Sequence, residues 1–344
     1  MSTYDFLYLS QRDVIRCGGQ SMCDVMGDVE TVLALHYEGD YILPPKVVLR
    51  WGDLDSEGGR GRINAMPGYV GGRVNIAGTK WVGSAPRNPV TYGLPRASAL
   101  IVLNDPETML PLAVMDGTVI SAMRTGGMTG VAAKYLARSD ATRVGIIGAG
   151  TQNRTQLMAL KVALPQLRAV RVYDLSWERA EKFAEEVSDL LAVNVVLVAT
   201  GEAAVSGADV IVTATTATKP VVRGEWIGEG CFYSHVGGYE ADYAVVERAD
   251  QIVVDHWDGI KHRGAQTLAL MHREGLFTDD RIDAELGEIV TGNKCGRSRD
   301  DAFIYFNAVG MALDDLIVAK RVYDNAKRRG IGTMLPLWEQ PAFI

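Results

Sequence analysis

Residues 144–153 read VGIIGAGTQN: an apolar run reaches Gly148-Ala149-Gly150 and continues through Thr151, Gln152 and Asn153. A strand that ends on two glycines and gives way to a helix is built to bring a phosphate against the main chain. The first glycine makes the tight turn and the second lets a pyrophosphate approach. The helix N-terminus then supplies N–H donors and a partial positive charge. Asn153 stands where the usual fingerprint has a third glycine, which predicts a helix packed slightly farther from its strand. Asp174 closes the next β-prone run, AVRVYD, 24 residues after Gly150. A carboxylate there binds the adenosine ribose hydroxyls and repels a 2′-phosphate, so the expected cofactor is NAD rather than NADP. The glycine loop alone is a weak signal; strand, helix and acid together make a specific one.

The elements around this loop suit it. RVGIIGAG, a helix to about Ala163, AVRVYD, a helix over residues 178–190, NVVLVAT, DVIVTATT and QIVVD alternate strand with helix. That is the pattern of a Rossmann-type doubly wound parallel sheet. Upstream the text differs. Ser10 and Asp13 predict a capping box, and Val25, Met26, Val29, Val32 and Leu33 recur at helical spacing over residues 24–36. Between Pro44 and Met115 come KVVLRW, RINAMPGYV, VNIAGTKWV, ASALIVL and PLAVM, with Asn104-Asp105-Pro106 as a hairpin turn. Consecutive strands with few helices predict a largely antiparallel sheet. A helix from Thr118 and an amphipathic final helix stopped by Gly330 complete the reading. The expected class is α/β, a Rossmann domain plus an α+β domain. The expected boundaries are 1–120, completed by 312–344, and 121–311.

At 344 residues the chain exceeds what one core usually supports, so two domains are expected. The net charge of −7 and the scattered basic residues argue against a nucleic-acid partner, which needs a basic patch. No run approaches the ~18 apolar residues of a membrane span, and no basic segment followed by an apolar stretch opens the chain. The four cysteines, Cys17, Cys23, Cys231 and Cys295, lack CxxC spacing and read as reduced residues of a cytoplasmic protein. The histidines form no HExxH or HxH cluster, so no metal is expected.

MPGYVGG, GTKWVGS, MRTGG with AAKYLA, GAGTQ and VGMALDD follow one another in an order that resembles the ornithine cyclodeaminase and μ-crystallin family over nearly the whole chain. GTKWVGS, RASALIVLNDPET and ELGEIVTG look most like its N-(2-amino-2-carboxyethyl)-L-glutamate dehydrogenase branch, which makes 2,3-diaminopropionate for siderophores and peptide antibiotics. The resemblance implies a substrate domain that also forms a homodimer, an NAD-binding Rossmann domain, and a last helix that returns to the first domain. By it, Lys80 matches the active-site lysine, and Arg124 the arginine that holds the substrate carboxylate near the nicotinamide. Lys46 stands where many members have another carboxylate-binding arginine, and Met66 matches a pocket methionine. Ser98, Arg124, Thr125, Gly148, Gly150, Thr151, Gln152, Asp174, Thr215, Val236 and Gly237 fall on cofactor-contacting positions. Cyclodeaminases carry an aspartate directly after the VGG pair; here Tyr239 intervenes before Glu240, Ala241 and Asp242. The departure weakens a cyclodeaminase reading and makes Glu240 the expected acid/base, with Asp242 in reserve.

These residues suit oxidation of an amine at Cα. Arginine binds carboxylate bidentately, and lysine acts as a point charge. A desolvated lysine beside another cation has a lowered pKa and can steer water onto an imine, while a carboxylate shuttles the amine proton. Plainer readings stand beside these. A strand lysine can snorkel to solvent, Arg124 can pair with an acid elsewhere, Met66 can be core, and Glu240 a solvated loop charge. His235 has no spacing that supports a catalytic role. Arg50, Arg62 and Arg96 would add charge for a substrate with three carboxylates, if their side chains converge. The expected function is NAD-dependent oxidation of an N-carboxyalkyl amino acid, an anionic small molecule, with release of 2-oxoglutarate and 2,3-diaminopropionate. The alternatives are an ornithine or lysine cyclodeaminase, a ketimine reductase or an alanine dehydrogenase of the same family. Of another class is a μ-crystallin-like NAD(P)H-binding protein, which Asp174 and the presence of both Lys80 and Arg124 disfavour.

Overall fold

Helix boundaries follow the local chemistry. In the computed structural model, which describes residues 3–52 and 61–342, the long helices are α1 (Met22–Glu38), α2 (Thr118–Leu136), α3 (Thr151–Ala163), α4 (Trp177–Leu191) and α5 (Ala312–Arg329). α1 and α5 end on Gly39 and Gly330, both in the left-handed conformation that glycine adopts without a Cβ penalty. Ser10 and Asp13 form the reciprocal capping box expected of them. The chain divides into two units, Met1–Arg124 with Met311–Ile344, and Thr125–Gly310.

The first unit is built on strands β1 (Tyr4–Leu9), β2 (Tyr41–Ile42), β3 (Val47–Trp51), β4 (Gly61–Val70), β5 (Ile76–Ser84), β6 (Ala97–Asn104) and β7 (Pro111–Asp116). Their order, from a C-terminal strand Thr333–Trp338, is β1, β7, β6, β5, β4, β2, with β3 also on β4. Every pair is antiparallel except β1 with β7. Alternation sorts the faces: Ala99, Ile101 and Leu103 of β6 are buried while Leu100 is exposed. Helix α5 packs on β4 and β5. Gly78 makes that approach possible, because a Cβ there would stand 2.3 Å from the Val102 carbonyl oxygen and 2.9 Å from Leu316. Three strands of this sheet, β1, β2 and the C-terminal one, lie outside the runs read from sequence. The C-terminal strand contains Pro336, which only an edge position tolerates, and it is at the edge.

The second unit holds strands β8 (Arg143–Ile147), β9 (Ala169–Tyr173), β10 (Asn194–Leu197), β11 (Val210–Thr213), β12 (Phe232–His235), β13 (Gln251–Val254), β14 (Ala284–Glu285) and β15 (Ile304–Asn307). All pair in parallel, in the order β10-β9-β8-β11-β12-β15-β13-β14. The 3-2-1-4-5 start of that order is the Rossmann arrangement, and its direction reverses between β8 and β11. β11, β12 and β15 are buried along their full length, as strands covered on both faces must be. The α/β class, with one parallel and one largely antiparallel sheet, is as the sequence predicts. Among the described residues no helix is long and apolar enough to cross a membrane.

Candidate active site

The glycine loop lies at the carboxyl end of β8, at the point where strand order reverses, which is where open α/β sheets bind ligands. Gly148 has φ +100°, a conformation that L side chains rarely adopt, and its N–H donates to the Tyr173 carbonyl at 2.8 Å. Gly150 caps α3; it is exposed, and a Cβ added there would meet nothing within 4 Å. Thr151 is exposed beside it, and the buried Gln152 Oε1 has no hydrogen-bond partner among the described residues. An open approach to the first turn of a thirteen-residue helix fits a pyrophosphate. Asn153 is wholly buried: its Nδ2 donates to the carbonyls of Ile147 at 3.0 Å and Gly148 at 2.6 Å, tying helix to loop where a third glycine would otherwise let them touch.

Asp174 follows β9 directly. Its carboxylate accepts from the N–H groups of Ala149 and Ser176 and from Arg179 Nη2, each at 2.8 Å. Burial pushes its pKa up, but these donors outweigh burial and hold it below the usual carboxylate value. The acid is therefore ionised and locked to the glycine loop.

Thr215, Val236 and Gly237 follow the carboxyl ends of β11 and β12. Glu240 fastens these two loops. Its Oε1 accepts from Thr215 N–H at 2.5 Å, and its Oε2 from Gly237 N–H at 2.7 Å and Thr213 Oγ1 at 2.8 Å. Glu240 is fully buried rather than solvated on a polar loop; burial raises its pKa against those hydrogen bonds. Asp242 caps the short helix Tyr243–Glu247, accepting from Val245 N–H and Gly224 N–H at 3.1 Å. Both acids expected to move protons are thus engaged with backbone donors. His235 donates from Nε2 to the Gly238 carbonyl at 2.6 Å and accepts from Tyr305 at Nδ1; burial drives its pKa down to about 3, so it is neutral.

The first unit holds the second cluster. Lys80, on β5, is 2% exposed; its Nζ donates to Asp315 Oδ2 at 2.6 Å and to Ser121 Oγ at 3.1 Å. Arg124 donates from Nε to Asp315 Oδ1 at 3.1 Å, and its Nη1 stands 3.5 Å from Asp314 Oδ2. One aspartate therefore bridges a lysine and an arginine, one oxygen to each. Burial first, and Arg124 second, lower the Lys80 pKa to about 8, against the opposing pull of Asp315. An amine that is partly neutral near physiological pH can take a proton from a bound amine or water. Lys80 does not snorkel to solvent.

Met66 is buried and directly opposite Lys80 on β4; Lys46, half-buried, precedes β3. Ser98 stands on the other face of the sheet, in the alternation of exposed Leu100, and is not brought to Lys80. Thr125 gives its carbonyl to Gln156 Nε2 at 3.1 Å. The residues missed by sequence reasoning are Asp314 and Asp315. Their signal was present: two acids inside the otherwise apolar GMALDDLIVA, on the first turn of a helix.

Sheet order, glycine loop and locked acid define a Rossmann-type α/β protein whose other unit carries a buried, acid-bridged lysine. The chain belongs to the ornithine cyclodeaminase/mu-crystallin family, which it matches over residues 10–330. It is 34% identical to the N-((2S)-2-amino-2-carboxyethyl)-L-glutamate dehydrogenase of Staphylococcus aureus, across 97% of this chain and 99% of that protein. It superposes with a TM-score of 0.88 on the Thermococcus litoralis Δ1-pyrroline-2-carboxylate reductase in complex with NADH and L-proline, at 38% identity, covering 95% of this chain and 99% of that one. An archaeal alanine dehydrogenase dimer with bound NAD gives a TM-score of 0.87 at 36% identity, covering 97% and 100%.

Proposed function

We propose that this protein is an NAD-dependent dehydrogenase that oxidises N-(2-amino-2-carboxyethyl)-L-glutamate, or a close analogue, at its secondary amine. The products are 2-oxoglutarate and 2,3-diaminopropionate. The observation that carries the reading is the buried Lys80, held by Asp315 beside Arg124 with its pKa lowered to about 8. The end-to-end similarity to the staphylococcal enzyme supports the choice of substrate.

Gly148, Gly150, Thr151, Gln152 and Asp174 would hold NAD, which would supply the acceptor for the hydride from Cα. Thr215, Val236 and Gly237 line the same carboxyl ends of the sheet, and Glu240 positions them. Arg124 holds the substrate carboxylate through its planar fork, whose orientation the aspartates of α5 fix. Lys80, neutral, takes the proton from the secondary ammonium, so that the nitrogen lone pair can form the imine. Water then adds at the imine carbon and the C–N bond breaks. Over the cycle one water is consumed and one proton is released. Met66 packs beside the reacting carbon chain, and Lys46 adds charge to the carboxylate end.

We also assign the exposed apolar face of the first unit's sheet, with Val47, Leu49, Trp81 and Leu100 between 45% and 65% exposed, to a homodimer interface. The archaeal alanine dehydrogenase is itself a dimer, which supports this.

The deciding experiment is an NAD turnover screen of the tricarboxylate against alanine, proline, ornithine and lysine, with products identified by mass. The tricarboxylate is expected to have the highest kcat/KM. A higher value for alanine or proline would hand the assignment to the alanine dehydrogenase or pyrroline-carboxylate reductase reading.

A further inference from the structure

Strand register sets two arginines directly opposite one another, and the charge of a third reaches them. Arg50 of β3 is opposite Arg62 of β4, Arg62 opposite Ser84 of β5, and Ser84 opposite Ala97 of β6. Arg96, which precedes Ala97, gives its carbonyl to the Ala85 N–H at 2.8 Å, one residue beyond that row, and its charge acts on Arg62. Directly opposed residues project from the same face of an antiparallel pair, so Arg50 and Arg62 share a side. It is also the side of Lys80. Met66 is opposite Lys80 and lies four residues from Arg62 along β4, and alternation returns both to one face. At about 3.3 Å per residue the two rows are ~13 Å apart along the strand, less the reach of long side chains toward each other.

The two rows differ in charge balance. Lys80 and Arg124 are already met by Asp314 and Asp315. Among the described residues, no carboxylate pairs with Arg50, Arg62 or Arg96. Like charges directly opposite one another are destabilising, so this row stores a cost that an anion would relieve. Burial, then Arg50 and Arg96, depress the ionisation of the half-buried Arg62 below the ordinary arginine value.

We infer that Arg50, Arg62 and Arg96 form a subsite for a second, distal carboxylate of the substrate, and select amino acids whose carboxylates are widely separated. The inference rests on the proposed reading in one respect, that Arg124, beside Lys80, holds the first carboxylate. Guanidinium forks match carboxylates bidentately, and three of them around one anion reject a neutral or cationic tail. Alanine and proline carry one carboxylate and cannot bridge the rows. Ornithine and lysine would bring an ammonium toward the arginines.

The test uses calorimetric binding to the full chain, with pimelate, a long dicarboxylate, and hexanoate, its monocarboxylate counterpart. Pimelate is expected to bind at least about tenfold more tightly, the scale of one hydrogen bond to a charged group. Arg62→Met should bring that ratio to within threefold while hexanoate affinity stays within threefold of the parent. Arg50→Met with Arg96→Met, both on exposed residues, gives a second arm should Arg62→Met fold poorly. No preference in the parent, an unchanged preference in the variants, or equal loss of both probes overturns the subsite. The readout is independent of turnover. If the tricarboxylate is not a substrate but pimelate behaves as described, the proposed function falls and the subsite stands. If the tricarboxylate is turned over with an unchanged KM in Arg62→Met, the subsite falls alone.

Discussion

Asp315 accepts from Lys80 at 2.6 Å on one oxygen and from Arg124 at 3.1 Å on the other, joining β5 and α5 across 235 residues of chain. Removing one partner from a buried pair leaves an uncompensated charge and costs about 3–5 kcal/mol. Asp315→Asn should therefore lower Tm markedly, because two cations remain desolvated side by side. It should also lower the Lys80 pKa further, since Asp315 is what holds it up. A Tm unchanged within a degree or two would mean the bridge is not closed in solution.

Lys80 is predicted to set the pH dependence. As a base it works when neutral, so kcat/KM should rise with pH through about 8 and then level off. Lys80→Ala should cut kcat/KM at least ~30-fold, with little change in NAD affinity. Stability carries the opposite face of the same shift. The folded pKa is about 8 against an ordinary lysine value of 10.5, so between those values the unfolded chain binds more protons. Stability should thus rise with pH across that window, recovering a cost of roughly 3 kcal/mol that is present in full below about 8. In the alanine variant that component should vanish. A parent enzyme whose activity falls through pH 8 would assign Lys80 a cationic role instead.

Glu240 should behave as a positioning residue. Glu240→Gln replaces one acceptor oxygen by a donor that faces N–H groups of Thr215 or Gly237. The expected result is a KM for NAD raised about tenfold or more, with the pH limb near 8 preserved. Loss of that limb with NAD affinity intact would instead make Glu240 the proton carrier.

Asp174 and Arg179 are predicted to set cofactor choice together. Parent protein should prefer NAD, since an ionised carboxylate repels a 2′-phosphate. Asp174→Ala removes that repulsion and releases Arg179, now held at 2.8 Å, so the NAD:NADP ratio of kcat/KM should fall at least tenfold. Equal use of both cofactors by the parent would contradict the role given to Asp174.

The apolar sheet face predicts a dimer. Sedimentation at micromolar concentration should give twice the 37.3 kDa chain mass, and Trp81→Asp should shift it to the monomer. A parent that sediments as a monomer removes the interface assignment.

What the sequence determined by itself is what local chemistry controls. Short β-prone runs separated by turn residues gave β3 through β7, because strand preference and turn chemistry act over a few neighbouring residues. The glycine loop, α3 and Asp174 were legible because turn, helix start and acid lie within one βαβ unit. The caps at Ser10 and Gly330 act within a single turn. Other features depended on burial, which a local pattern does not encode. Strands β12 and β15, FYSH and IYFN, are not among the runs read from sequence; their His235 and Tyr305 satisfy each other only once both are in the core. The C-terminal strand, with its proline, has meaning only at a sheet edge. Glu240 looks like a surface charge on a loop, yet folding encloses it among backbone donors. Asp315 looks like an acid favoured by a helix dipole. Only when α5 lies over Gly78 does that acid reach Lys80, because a residue's protonation and partners are set by what the fold places beside it in a low dielectric.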